Sequence, residues 1–142
     1  MTERSANVVW NGDLLHGAGT IAAAPSGAFG PLDVTWASRA EDPDGRTSPE
    51  ELLASAWAAC FAMALSNGLA NAGTPADRLE TSATVAFQPG EGIVRGKLTV
   101  RGSVPGIDGD AFHRAADDAA KNCPVSKALS GIPDVSFEAT LA

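Results

Sequence analysis

Between Ser48 and Asn71 the chain carries a helix signal whose first half is apolar on every side, and this segment limits what the rest can build. Ser48 is placed as an N-cap, Pro49 fits the first helical position, and Glu51 completes a Ser-x-x-Glu capping box. Gly73 supplies the stop. The stretch L-L-A-S-A-W-A-A-C-F-A-M-A-L from Leu52 to Leu65 offers no polar face. A helix of this kind belongs at the centre of a structure rather than on its surface. Burying it on all sides within 142 residues is difficult, so the segment asks for a partner chain.

Short alternating segments surround it. Residues 6–10, 18–24 and 33–37 read as strands, with N-G-D at 11–13 as a hairpin turn. A polar loop at 41–47 leads into the helix. Residues 79–88 and 92–104 alternate well around P-G-E and read as a β-hairpin. Helices follow at about 110–122 and 124–130, and D-V-S-F-E-A-T-L at 134–141 closes the chain as a strand. The pattern predicts one α+β domain over residues 1–142 with mainly antiparallel pairing. G-A-G-T-I-A at 17–22 mimics a dinucleotide fingerprint, but no βαβ unit surrounds it and it reads as a hairpin.

Composition narrows the function classes. A net charge of −7 argues against nucleic-acid binding and against attachment to anionic membranes. The start M-T-E-R-S-A-N-V-V-W lacks the apolar core of a signal peptide. The 14-residue apolar run is short of the ~20 residues that span a bilayer. A cytoplasmic location is the expectation, and there a thiol pair more often cycles through redox states or binds metal than forms a permanent disulfide.

Reaction chemistry is scarce: the chain has two cysteines, two histidines and no tyrosine. Cys60 lies inside the apolar helix. It is either a small buried hydrophobe or a nucleophile whose pKa is lowered by its surroundings. Cys123 stands immediately before Pro124, at the mouth of a new helix, where amide N–H groups favour a thiolate. The two cannot complete a zinc site by themselves, and no C-x-x-C or H-x-x-x-H spacing exists. Arg39 precedes the loop that delivers the helix, and Glu50 lies in the helix's first turn. Each is either a solvated charge or a site residue, and helix-dipole stabilisation alone accounts for Glu50. His16 and His113 show no triad spacing with Cys60, so a histidine-assisted thiol hydrolase is unsupported.

The phrase S-P-E-E-L-L-A-S-A-W-A-A-C-F-A-M-A-L, followed by N-C-P-V-S-K-A-L, resembles the OsmC/Ohr family of thiol-dependent peroxidases. V-V-W-N-G-D at 8–13, H-G-A-G-T at 16–20 and S-V-P-G-I-D at 103–108 extend the resemblance over nearly the whole chain and toward its OsmC branch. The resemblance implies an OsmC-like fold, with antiparallel sheets wrapped around a long central buried helix in an intertwined homodimer. It implies Cys60 as the peroxidatic cysteine, Cys123 as the resolving cysteine, Glu50 as the catalytic glutamate and Arg39 as the catalytic arginine, with Arg46 in reserve. Trp57 stands where relatives often have histidine, which alters the pocket. Trp57, Phe61 and Met63 form apolar surroundings suited to an alkyl tail.

The activity so implied is reduction of organic hydroperoxides, and less efficiently of hydrogen peroxide, to alcohols. It proceeds through a sulfenic acid and an intramolecular Cys60–Cys123 disulfide. A dithiol, of the lipoyl type by resemblance, would reduce the disulfide; no metal, haem or flavin is implied. Glu50 and Cys60 are ten residues apart, about 15 Å along one helix. A two-fold axis that pairs two such helices would bring Glu50 of one copy beside Cys60 of the other, giving composite sites. The alternative is a non-catalytic dimeric stress or binding protein with inert buried cysteines.

Overall fold

Alternation in the first 34 residues gives a small antiparallel sheet. The computed structural model describes all 142 residues, and they divide into two compact units, Met1–Leu52 and Leu53–Ala142. In the first unit, β1 (Val8–Asn11) pairs with β2 (Ala18–Ile21), which pairs with β3 (Leu32–Val34). The turn at 11–13 opens a longer connection, residues 12–17, in which Gly12 takes φ +91. Gly19 faces the Trp10 ring so closely that a Cβ would sit 2.7 Å from it.

The segment expected as a strand over 33–37 ends early. Thr35 turns the chain into a short helix, α1 (Trp36–Ala40): its side chain accepts from the Ser38 amide at 3.0 Å, and the Ser38 hydroxyl accepts from the Thr35 amide at 2.9 Å. This reciprocal cap satisfies donors that a strand would have left unpaired. Arg39 therefore sits on a helix rather than at the end of a strand.

Helix α2 (Pro49–Asn71) has the expected limits, and Ser48 Oγ accepts from the Glu51 amide at 3.1 Å as the cap requires. At 23 residues and mean hydropathy 1.5, α2 is long and apolar enough to cross a membrane, which the 14-residue run had not suggested. Its use here is internal. Trp57, Phe61, Leu65 and Leu69, spaced by four, are each at most 2 % exposed in the core of the second unit. Each contributes roughly 1.5–3 kcal/mol by leaving water. Ala56, Ala59, Met63 and Ala70, on other faces, are exposed.

The second unit's sheet has the order β4 (Arg78–Gln88), β5 (Gly92–Ser103), β6 (Asp134–Leu141). β4 and β5 are antiparallel, as their alternation predicts, but β6 runs parallel to β5. The helices α3 (Gly109–Asn122) and α4 (Pro124–Ala128) lie between β5 and β6 in the chain and supply the long crossover that parallel pairing needs. Leu98, Val100, Phe112, Ala116 and Cys123 complete the core around the buried stripe of α2.

Candidate active site

Two clusters of chemistry-bearing side chains form, one in each unit. In the first, the Ser38 hydroxyl lies 2.9 Å from the Thr47 carbonyl oxygen and ties α1 to the segment entering α2. The Thr47 hydroxyl in turn donates to Glu51 Oε1 at 2.8 Å. This bracing sets Arg39 against Glu50. Arg39 Nε donates to Glu50 Oε1 at 3.0 Å and Oε2 at 3.3 Å, and Nη2 donates to Oε1 at 2.8 Å. The Glu50 side chain is 7 % exposed and that of Arg39 33 %. A carboxylate this deep needs the fixed fork of a guanidinium. Arg46, the reserve, is instead exposed and lies 3.4 Å from Asp44.

A cavity of about 400 Å3 opens beside Arg39, walled by Trp10, Leu14, Val34, Thr35, Trp36 and Pro49. These residues were not singled out from the sequence. Trp10 and Val34 meet there because β1 and β3 flank β2, a pairing that no single segment announces.

In the second unit, Cys60 and Cys123 are free thiols that meet in one core, Cys60 packing against the buried cluster that contains Cys123. Cys60 is half-buried and Cys123 is 1 % exposed. Cys123 closes α3 and caps α4: its Sγ accepts from the Ser126 amide at 3.3 Å and lies 3.2 Å from Ser126 Oγ. Burial works to raise the Cys123 thiol pKa, but the Ser126 hydroxyl and amide, the Cys60 thiol and the Val125 amide outweigh it, and the net shift is downward. Cys60 moves the other way. Burial raises it, the Val125 amide opposes this, and the hydrogen bond and negative charge of Cys123 raise it further. The surroundings thus oppose ionisation at Cys60 and favour it at Cys123.

Trp57 and Phe61, expected beside a substrate tail, lie in the core at 2 % and 0 % exposure. Trp57 Nε1 donates to Ser126 Oγ at 2.8 Å, and Phe61 packs edge-on against Phe137 with ring centroids 5.9 Å apart. Met63 is 73 % exposed, on a groove shared with Ser66, Asn67 and Leu79. Ser126 is the site residue the sequence reading passed over; its only local signal is its position three residues after a helix-capping cysteine.

Comparison with known proteins gives the family. Residues 42–138 match the family described as OsmC-like protein. The chain is 37% identical over 123 residues to peroxiredoxin OsmC of Escherichia coli, covering 84% of this chain and 85% of the relative. Among solved structures, the organic hydroperoxide resistance protein OhrB of Bacillus subtilis aligns with TM-score 0.66 and 25% identity over 97% of this chain and 98% of its own. An OsmC-like protein from Mycoplasma pneumoniae shares the fold at TM-score 0.75 and 17% identity, over 99% of this chain and 98% of its own. The α+β fold with its two small sheets and long central helix is the one these relatives have, and the chain belongs to the OsmC-like protein family.

Proposed function

We propose that this protein is a Cys-based peroxidase that reduces organic hydroperoxides, and hydrogen peroxide less efficiently, in defence against oxidative stress. The observation that supports this reading is the pair of free thiols in one core, Cys60 packed against the cluster that contains Cys123 and Ser126 hydrogen-bonded to the Cys123 sulfur. Relatives named peroxiredoxin OsmC and organic hydroperoxide resistance protein support the peroxide substrate.

In the reaction, the Cys60 thiolate attacks the peroxide oxygen. An S–O bond forms, the O–O bond breaks, and the leaving alkoxide takes a proton to become the alcohol. Cys60 is left as a sulfenic acid. Cys123 attacks its sulfur, giving the disulfide and water, and a lipoyl-type dithiol restores both thiols by exchange. Of the leading influences on Cys60 inside its own unit, none is a cation, and the net effect raises its pKa. The nucleophile needs a positive charge to ionise it and to stabilise the departing oxygen, and Arg39 is suited to both. Glu50 holds the guanidinium in place.

The protein acts as a homodimer in which Arg39 and Glu50 of one copy serve Cys60 of the other. The exposed small and apolar residues of α2, including Met63 at 73 % exposure, support a partner on that face. The apolar walls of the Arg39 cavity, with Trp10, Leu14 and Trp36, suit an alkyl tail. The deciding experiment is peroxide consumption by purified protein with tert-butyl hydroperoxide and dihydrolipoamide, beside Cys60→Ser. Turnover that disappears in the variant is the expected result. No turnover with any hydroperoxide or dithiol, and thiols that stay reduced, would replace this reading with that of a binding protein.

A further inference from the structure

We propose that Ser126, held by the indole N–H of Trp57, is the positioning residue that directs its hydroxyl at the Cys123 sulfur and readies it for disulfide formation. An indole nitrogen only donates. The 2.8 Å bond from Trp57 Nε1 therefore occupies a lone pair of Ser126 Oγ and leaves one O–H and one lone pair. Cys123 Sγ lies 3.2 Å from that oxygen. When Cys123 is a thiol, it donates to the remaining lone pair; when it is a thiolate, the O–H donates to it. The same geometry serves both states, and Trp57 keeps the hydroxyl from turning away.

Trp57 is itself held firmly. It is 2 % exposed, and Gly96 on β5 lies so close that a Cβ there would meet the ring at 2.7 Å. The Ser126 amide adds a second donor to the sulfur at 3.3 Å. The sulfur thus receives two hydrogen bonds from one residue, and that residue is aimed by a tryptophan 69 positions away in sequence. A histidine at this place would present a ring nitrogen that donates or accepts with its tautomer. Tryptophan removes that ambiguity, so the orientation is independent of pH.

This inference rests on the peroxidase reading for its consequence, although not for the ionisation itself. Once Cys60 is a sulfenic acid, an electron pair of the Cys123 thiolate attacks the Cys60 sulfur. The S–S bond forms as the S–O bond breaks, and hydroxide leaves and takes a proton from solvent. Cys123 is oxidised as Cys60 is reduced, and no external electron is needed. Hydrogen bonding that keeps Cys123 ionised raises the fraction of molecules able to take this step.

Of the titratable groups on the elements around Cys123, Asp117 and Lys121 line the cleft beside Ser126. On α2 there is Cys60, packed against the same core. On α3, Asp117 and Lys121 pair with each other at 2.8 Å along the cleft that Ser126 and Trp57 also line. Lys127 lies on α4, one residue beyond Ser126. On β5, Lys97 alternates with Gly96 and Leu98, so it points to the opposite face and pairs there with Glu138 of β6 at 2.9 Å.

The test uses the Cys60→Ser chain, in which Cys123 is the sole cysteine, and follows thiolate absorbance against pH. Ser126→Ala and Trp57→Phe should each move the midpoint upward by about one pH unit, a tenfold loss of thiolate below it. Ser126→Thr, which keeps the hydroxyl, should restore the parent curve. In the chain with both cysteines, one equivalent of tert-butyl hydroperoxide should leave more sulfenic acid trappable by dimedone in Trp57→Phe than in the wild type. Titrations of Trp57→Phe and Ser126→Ala that superimpose on the parent would overturn the proposal. An upward shift in a protein that never consumes peroxide would uphold the role of Ser126 and count against the peroxidase reading instead.

Discussion

Arg39 and Glu50 are locked by two nitrogens on one carboxylate, with Nε 3.0 Å and Nη2 2.8 Å from Oε1. The carboxylate side is 7 % exposed and the guanidinium side 33 % exposed. On the proposed reading, the buried partner fixes the orientation and the more accessible partner meets the charge that develops nearby. Thr35 and Ser38 matter because they end β3 and start α1 at the residue that brings Arg39 into line.

Removing the charge at Glu50 while keeping its shape tests this. Glu50→Gln should lower kcat/KM for tert-butyl hydroperoxide by about 100-fold, the order expected when a charge-stabilising group loses its orientation. Arg39→Lys should fall as far, because an ammonium cannot make the two-point contact. Arg39→Ala should also cost about 3 kcal/mol in urea unfolding, since it leaves a buried carboxylate without its cation. Unchanged turnover in Glu50→Gln would sink the orienting role.

The two thiols predict a maximum in stability against pH. The Cys123 pKa is lowered by folding, so its contribution is full above the ordinary cysteine value of 9.0 and fades as pH falls through the folded-state value. The Cys60 pKa is raised, so its contribution is full below 9.0 and is lost as pH climbs toward its folded-state value. The thiol-dependent part of the stability of the reduced protein should therefore rise toward pH 9.0 and decline beyond it. The difference in Tm between reduced wild type and the Cys60→Ser, Cys123→Ser double variant, taken across alkaline pH, reads it directly. A flat difference would show that burial of Cys60 and the Ser126 hydrogen bonds to Cys123 do not shift either thiol.

Much of this was visible along the chain, and what escaped notice shares a physical cause. The Ser48 cap, the limits of α2 and the β4–β5 hairpin rest on signals within a few residues of one another, and all appear as expected. The α1 helix was hidden because D-V-T-W-A alternates like a strand; only Thr35-x-x-Ser38 marks the turn, with serine at a position where glutamate or glutamine is the stronger signal. The parallel direction of β6 follows from how α3 and α4 cross over, which alternation within β6 does not record. Ser126 and Trp57 are joined across 69 positions, and Trp57 looked like pocket lining because its one polar atom has no local partner in sequence.

Gly96 offers a structural control on that junction. A methyl group there would lie 2.7 Å from Trp57 Cζ3 and 2.8 Å from Cη2, with the ring already confined to the core. Gly96→Ala should cost about 1–3 kcal/mol through overpacking. Gly131→Ala, with open space around the added carbon, should stay within about 0.5 kcal/mol of wild type. Equal midpoints for the two variants in denaturant would mean that the Trp57 ring can move aside, and with it the hydroxyl it aims.

Composite sites make a prediction that a self-contained monomer cannot imitate. Cys60→Ser removes the nucleophile and keeps Arg39; Arg39→Ala does the reverse. Each alone should be nearly inactive. If Arg39 of one copy serves Cys60 of the other, a mixed dimer holds one intact site and one site lacking both groups. Random re-pairing of equal amounts, after brief unfolding and refolding together, should recover roughly a quarter of wild-type activity per chain. Met63→Glu, which places a charge on the exposed face of α2, should abolish both the recovery and the dimer seen by sedimentation. Recovery fails if each chain completes its own site, because neither variant then supplies what the other lacks. Activity that returns on mixing, and vanishes with Met63→Glu, would tie the apolar face of α2 to the chemistry of Cys60.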